Sequence, residues 1–173
     1  MQKGLLMVFT GNGKGKTTSA LGLSMRSAGH GLKVCFIQFI KGGWKSGELD
    51  VVERLKDMID FHVMGRGFTW KSHNLEKDRA MGRDAWELAK MAMTSGEYHL
   101  VVLDEFTYML NYGGLDNQAV LDTLAKKQSD LNVAITGRDA PAELIAAADL
   151  VTDMTEIRHP YRAGIKAQRG IEF

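Results

Sequence analysis

Near the start of the chain three glycines and two lysines fall within nine residues, Thr10-Gly11-Asn12-Gly13-Lys14-Gly15-Lys16-Thr17-Thr18. Glycines let successive backbone N–H groups converge on one anion. A helix starting directly behind them aims its positive end at the same point. Lys16 would then reach the terminal phosphates of a nucleotide, and the Thr17 hydroxyl would fill a Mg²⁺ coordination position. Strand, glycine-rich turn, Gly-Lys-Thr and helix, in that order, make a Walker A phosphate loop. The dinucleotide fingerprint fails, because its third glycine would fall on Lys16. Gly11, Asn12, Gly13, Lys14, Gly15, Lys16, Thr17 and Thr18 are therefore the candidate nucleotide-binding residues. The pattern departs from the usual one at its first position, where Thr10 replaces glycine.

A nucleotide site of this kind needs acids at the end of a second apolar strand. Leu100-Val-Val-Leu-Asp104-Glu105 supplies them, so Asp104 and Glu105 are candidate Mg²⁺ ligands, directly or through water. Arg138, in Ile135-Thr-Gly-Arg138, falls just past another strand, where it either meets a phosphate or ribose or is an ordinary exposed arginine. The five histidines, at 30, 62, 73, 99 and 159, show no metal-ligand spacing. Phe68 and Trp70, in Gly65-Arg-Gly-Phe-Thr-Trp70, stand two apart in a glycine-punctuated loop. Such a pair either anchors the loop to the core or offers a surface to a flat ligand.

The elements that must hold these residues are legible as apolar runs alternating with longer amphipathic stretches. Strands are expected at Leu5–Thr10, Val34–Ile40, Asp60–Met64, Leu100–Leu103, Val133–Thr136 and Leu150–Met154, with a last one within Ile165–Phe173. Helices are expected at Thr17–Ala28 with a glycine stop, around Leu49–Leu55, and at Leu75–Ser95, Asp116–Asp130 and Pro141–Ala148. Several strands are apolar throughout, as strands covered on both faces should be. The fold class is thus α/β, P-loop NTPase-like, with a mostly parallel sheet and helices on both faces. Ligands of such sheets collect beyond the C-terminal strand ends. With two prolines, no linker-like run and no repeat, residues 1–173 read as a single domain.

Composition narrows the function. Lys plus Arg is 22 and Asp plus Glu is 21, a net charge of +1, which argues against a duplex nucleic-acid binder. The lone cysteine, Cys35, excludes an intrachain disulfide framework and reads as a buried strand thiol. No apolar stretch approaches the ~20 residues that span a bilayer, so the expectation is a protein of the reducing cytoplasm without membrane contact.

In order along nearly the whole chain, several segments resemble the P-loop family of ATP:corrinoid adenosyltransferases. They are Thr10–Thr18, Gln38-Phe-Ile-Lys-Gly42, Gly67-Phe-Thr-Trp70, Val102-Leu-Asp-Glu-Phe-Thr-Tyr-Met109, Ile135–Arg138 and Gly164-Ile-Lys-Ala-Gln-Arg-Gly-Ile-Glu-Phe173. A Walker A loop is shared by many families, whereas Gly-Phe-Thr-Trp and the Lys-Ala-Gln-x-Gly-Ile ending are far more particular. Thr10 in place of glycine also agrees with this family's loop.

The resemblance implies transfer of the 5′-deoxyadenosyl group of ATP to the cobalt of a Co(I) corrinoid such as cobalamin, with release of triphosphate. It implies an ATP whose terminal phosphate lies deep in the loop, near Lys16, and a Mg²⁺ held by Thr17 and by Glu105 ahead of Asp104. Phe68 and Trp70 match the aromatic pair that packs beneath the corrin and displaces its lower axial ligand. With Lys16 they are the candidate catalytic residues. A homodimer and a flavoprotein reductase are the implied partners. His159 and the tail beyond Gly164 match the family without an assigned role. Longer family members carry an N-terminal helical extension, whereas four residues precede the first expected strand here. Two other readings stay open at this stage. One is a different P-loop phosphohydrolase or phosphotransferase with Arg138 as its charge-stabilising arm; the other is a non-catalytic corrinoid- or nucleotide-binding carrier or sensor.

Overall fold

Three five-residue runs, Leu6-Met-Val-Phe-Thr10, Val34-Cys-Phe-Ile-Gln38 and Leu100-Val-Val-Leu-Asp104, are buried at every position, which requires cover on both faces of the sheet they form. In the computed structural model, which describes residues 3–40, 46–65, 75–112 and 114–172, these runs are β1 (Leu6–Thr10), β2 (Val34–Gln38) and β4 (Leu100–Asp104). With β3 (Ile59–Val63), β5 (Asn132–Thr136) and β6 (Leu150–Asp153) they make a six-stranded sheet in the order β3-β2-β4-β5-β1-β6. Every neighbouring pair runs parallel.

Alternate side chains enter two separate cores. Met7, Phe9, Val34, Phe36, Leu100, Val102 and Ala134 pack on one face with Ala20 of α1 (Lys16–Gly29) and Val52 of α2 (Gly47–Arg54). Leu6, Val8, Cys35, Ile37, Val101, Leu103, Val133 and Ile135 pack on the other. There they meet Ala85, Trp86, Ala89 and Met93 of α3 (Leu75–Thr94), Met109 of α4 (Thr107–Asn111), Val120 and Leu124 of α5 (Asn117–Ala125) and Leu144 of α6 (Ala142–Ala147). The alanines of α3 let that helix approach the sheet closely. The sheet is therefore covered by helices on both faces, as expected.

The glycine stop of α1 is a paired bond: Gly31 N–H reaches Ala28 O and Leu32 N–H reaches Ser27 O, with Gly31 at φ +72°. Three expectations need correction. α5 ends at Ala125, short of Asp130, because the next N–H groups bond three residues back, Lys126 to Thr123 and Lys127 to Leu124. β2 ends at Gln38, short of Ile40, and Phe39 N–H makes its last ladder bond, to Asp104 O. Residues 165–172 hold no strand: 165–168 are irregular and 169–172 form a turn, where Ile171 and Glu172 both donate to Gln168 O, so these amides are satisfied locally and do not pair with the sheet. The short α4, too brief for a periodic signal, was not anticipated. A short 3₁₀ helix, Pro160–Ala163, precedes the tail.

Candidate nucleotide and metal site

The C-terminal ends of β1, β4, β5 and β6 converge on the loop between β1 and α1. Gly11, at φ +93°, turns the chain out of β1, and a Cβ there would lie 2.2 Å from the Asp153 carboxylate at the end of β6. Gly15, at φ +114°, starts α1 with no side-chain cap and no acid in the first turn, leaving the positive helix end open to an anion. Gly13 N–H is tied to Met154 O at 2.6 Å. Thr10, the departure from the usual motif, is buried, and its hydroxyl accepts Ala140 N–H at 3.2 Å. That bond joins the loop to the segment after β5, a role no glycine could fill.

Lys16 is 6% exposed. Its ammonium donates to Gly11 O at 2.6 Å and Gly13 O at 2.7 Å, curling back over its own loop. Burial pushes its pKa below the usual lysine value, against the opposing field of Glu105 and with the support of Arg138. Thr17, one residue on, donates its hydroxyl to Asp104 Oδ1 at 2.8 Å. Asp104 is 1% exposed and also accepts from Thr136 Oγ1 at 2.7 Å and Gln38 Nε2 at 3.2 Å. Glu105 follows in the left-handed region, at φ +57°.

A cavity of about 440 Å³ lies over the loop, a size suited to a small-molecule ligand. Gly13, Lys14, Gly15, Lys16, Thr17 and Thr18 line it, together with Glu105, Arg138 and His159. The tail closes one side, with Gly170 and Ile171 at the wall and Glu172 Oε2 on Lys14 Nζ at 2.9 Å. Gly11 and Asn12 instead line a second opening of about 640 Å³ on the far side of the loop, with Asp139, Asp153 and Arg158. Arg138 is held through its backbone, where the carbonyl accepts the Thr107 hydroxyl at 2.6 Å. Phe68 and Trp70 lie outside the described residues. Sequence reading missed Gln38 and Thr136 as partners of Asp104, Met154 as a partner of the loop, and the tail as a wall. The apolar context of the first two gave no hint that their polar ends meet one acid.

The cation question can be put to the donors themselves. Among the described residues no three His, Cys, Asp or Glu side chains form a metal cage. What is present is a hydroxyl and a carboxylate 2.8 Å apart beside a second acid and an open anion site. Such hard oxygen donors fit Mg²⁺, which takes one or two protein ligands and completes its shell with phosphate and water.

Residues 2–173 match the model of a protein family described as ATP:corrinoid adenosyltransferase BtuR/CobO/CobP. The chain belongs to this family. It is 42% identical over 172 residues to a corrinoid adenosyltransferase of Pseudomonas aeruginosa, covering 99% of this chain and 85% of that one. A corrinoid adenosyltransferase of Escherichia coli is 41% identical, with 99% and 87% covered. Among solved structures, the flagellar accessory protein FlaH of Methanocaldococcus jannaschii superposes with a TM-score of 0.55 at 11% identity, covering 88% of this chain and 72% of that one. That likeness is one of fold alone, and the fold is P-loop NTPase-like. The enzyme is accordingly an ATP:corrinoid adenosyltransferase.

Proposed function

We propose that the enzyme holds the triphosphate of ATP over Gly13–Thr18 and presents C5′ to the cobalt of a Co(I) corrinoid. The observation that carries this reading is the convergence of Lys16, Thr17, Glu105 and Arg138 on one cavity, in a chain of this family. In the transfer, the cobalt electron pair forms the Co–C5′ bond as the C5′–O bond breaks. The bonding pair leaves with triphosphate, and cobalt passes formally from +1 to +3. Cobalt is its own nucleophile, so no general base is required. The protein's work is to position C5′ and to stabilise the charge that develops on the leaving group.

Each residue's task follows from its place. Lys16 would exchange the carbonyls of Gly11 and Gly13 for phosphate oxygens, and Arg138 would add a second positive charge from the β5 side. Thr17 and Glu105, with Asp104 behind Thr17, would hold Mg²⁺. When bound, that ion neutralises phosphate charge and makes triphosphate a better leaving group. Phe68 and Trp70, on the strength of the family resemblance, would pack beneath the corrin and exclude its lower ligand, which eases reduction to Co(I). A homodimer and a flavoprotein reductant complete the reading on the same ground. The free, buried Cys35 is in keeping with a reducing cytoplasm, and among the described residues no helix is long and apolar enough to cross a membrane.

The test is anaerobic incubation of the enzyme with ATP, Mg²⁺ and chemically reduced cob(I)alamin. The expected products are a light-sensitive alkylcobalamin and intact triphosphate in equal amounts. Inorganic phosphate without alkylation would make the protein a phosphohydrolase instead.

A further inference from the structure

We propose that Thr136 is a positioning residue of the metal and triphosphate site, setting both acids that end β4 through one side chain. Three polar residues lie side by side across the C-terminal edge of the sheet. Gln38 of β2 pairs in register with Asp104 of β4, and Thr136 of β5 lies one residue beyond the Leu103–Ile135 pair. Thr136 is fully buried, at 0% exposure.

A hydroxyl has one proton to give and two lone pairs to receive. Thr136 gives its proton to Asp104 Oδ1 at 2.7 Å and receives Glu105 N–H at 2.9 Å. The Thr17 hydroxyl donates to the same Oδ1 at 2.8 Å, and Gln38 binds Oδ2 at 3.2 Å. Asp104 is thereby oriented from both sides. Because the Thr17 proton is committed to Asp104, the lone pairs of Thr17 are left for a cation. Glu105 needs a different kind of help, since its φ of +57° is costly for a residue with a Cβ. The next amide, Phe106 N–H, bonds Thr136 O at 2.9 Å. One threonine therefore holds two successive amides of the turn that brings Glu105 to the cavity wall, and orients the neighbouring acid as well.

The inference rests on the proposed Mg²⁺ site, and its test separates the two. Binding of ATP with Mn²⁺ as the spectroscopic probe is measured by electron paramagnetic resonance and calorimetry without corrinoid, so that no turnover occurs. Thr136→Val keeps the branched shape but removes donor and acceptor. Thr136→Ser keeps both. The expected result is Mn²⁺-dependent ATP binding weakened about ten- to a hundredfold in the valine variant, the usual range for a group that orients a metal ligand. The serine variant should return to within about threefold of wild type. Half-saturation by corrinoid in steady state should move little in either.

Wild-type-like binding by the valine variant, even with a lowered melting temperature, would overturn the proposal, and so would a serine variant as impaired as valine. If the valine variant does not fold, Thr136→Ala set against Thr136→Ser decides on the same criteria. Wild-type ATP binding indifferent to divalent cation would instead overturn the metal reading beneath it.

Discussion

At the scale of single residues the site combines a buried cation with an open anion cradle. Desolvation lowers the Lys16 pKa in the free enzyme, and triphosphate would favour the charged form and raise it. ATP affinity is thus greatest below the free-enzyme value and falls as pH rises through it. Above that point, binding should take up a proton. Calorimetry in buffers of different ionisation enthalpy should show the uptake at alkaline pH, and Lys16→Ala should abolish it while weakening ATP binding roughly ten- to a hundredfold, the loss of one charge-assisted contact. An uptake that survives the substitution would assign the proton elsewhere. Phe68 and Trp70 call for a different comparison, because their proposed task precedes the transfer. Replacing either with alanine should reduce turnover from cob(II)alamin at least tenfold, about 1.4 kcal/mol of barrier, and leave turnover from pre-reduced cob(I)alamin nearly intact. Equal losses with both substrates would make the pair an anchor for the loop.

At the scale of elements, the acids of β4 are braced from behind. Phe106, the residue after Glu105, is fully buried, and its ring lies 5.2 Å from Trp86 of α3 and 4.9 Å from Phe39 after β2. Trp86→Ala removes one side of that stack and should cost about 3–5 kcal/mol. For a protein of this size the melting temperature should fall by roughly 6–15 °C. ATP should restore part of the loss by mass action, growing with the logarithm of its concentration over Kd. A melting temperature unchanged by the substitution would mean that α3 is not braced there. These elements also show what a sequence can disclose. β1, β2 and β4 were legible because a run buried on both faces must be apolar throughout, and the stop of α1 was legible because Gly31 adopts a positive φ. The phosphate loop was legible because its chemistry is local. Thr136 and Gln38 were not, since they meet Asp104 across 32 and 66 residues and spacing says nothing of where a side chain ends. The tail misled for the opposite reason: a last strand is expected within Ile165–Phe173, yet Ile165 and Ile171 are exposed, and the turn about Gln168 satisfies Ile171's amide.

At the scale of the whole molecule, the strand order places β1 between β5 and β6, while β4 lies between β5 and β2, so the site draws on both halves of the sheet. Nucleotide bound there should stabilise strands it does not touch, and Cys35 can report this. The thiol lies in β2, 1% exposed, and burial aided by the Asp60 charge pushes its pKa up to about 12. At pH 8 about one molecule in 10⁴ would carry the reactive thiolate, and that one is buried. Alkylation therefore requires β2 to open. β2 is tied to the site by the Gln38–Asp104 bond and by its full register with β4, so opening it should disrupt Asp104, the acid that holds Thr17. If opening and nucleotide release are one event, ATP at a hundred times its Kd, with Mg²⁺, should slow Cys35 alkylation about a hundredfold, about 2.7 kcal/mol of linkage. Mass spectrometry of iodoacetamide-labelled protein over time measures this directly. A rate indifferent to ATP would mean that β2 and β3 leave the sheet as a separate unit while β1, β4 and β5 keep the nucleotide.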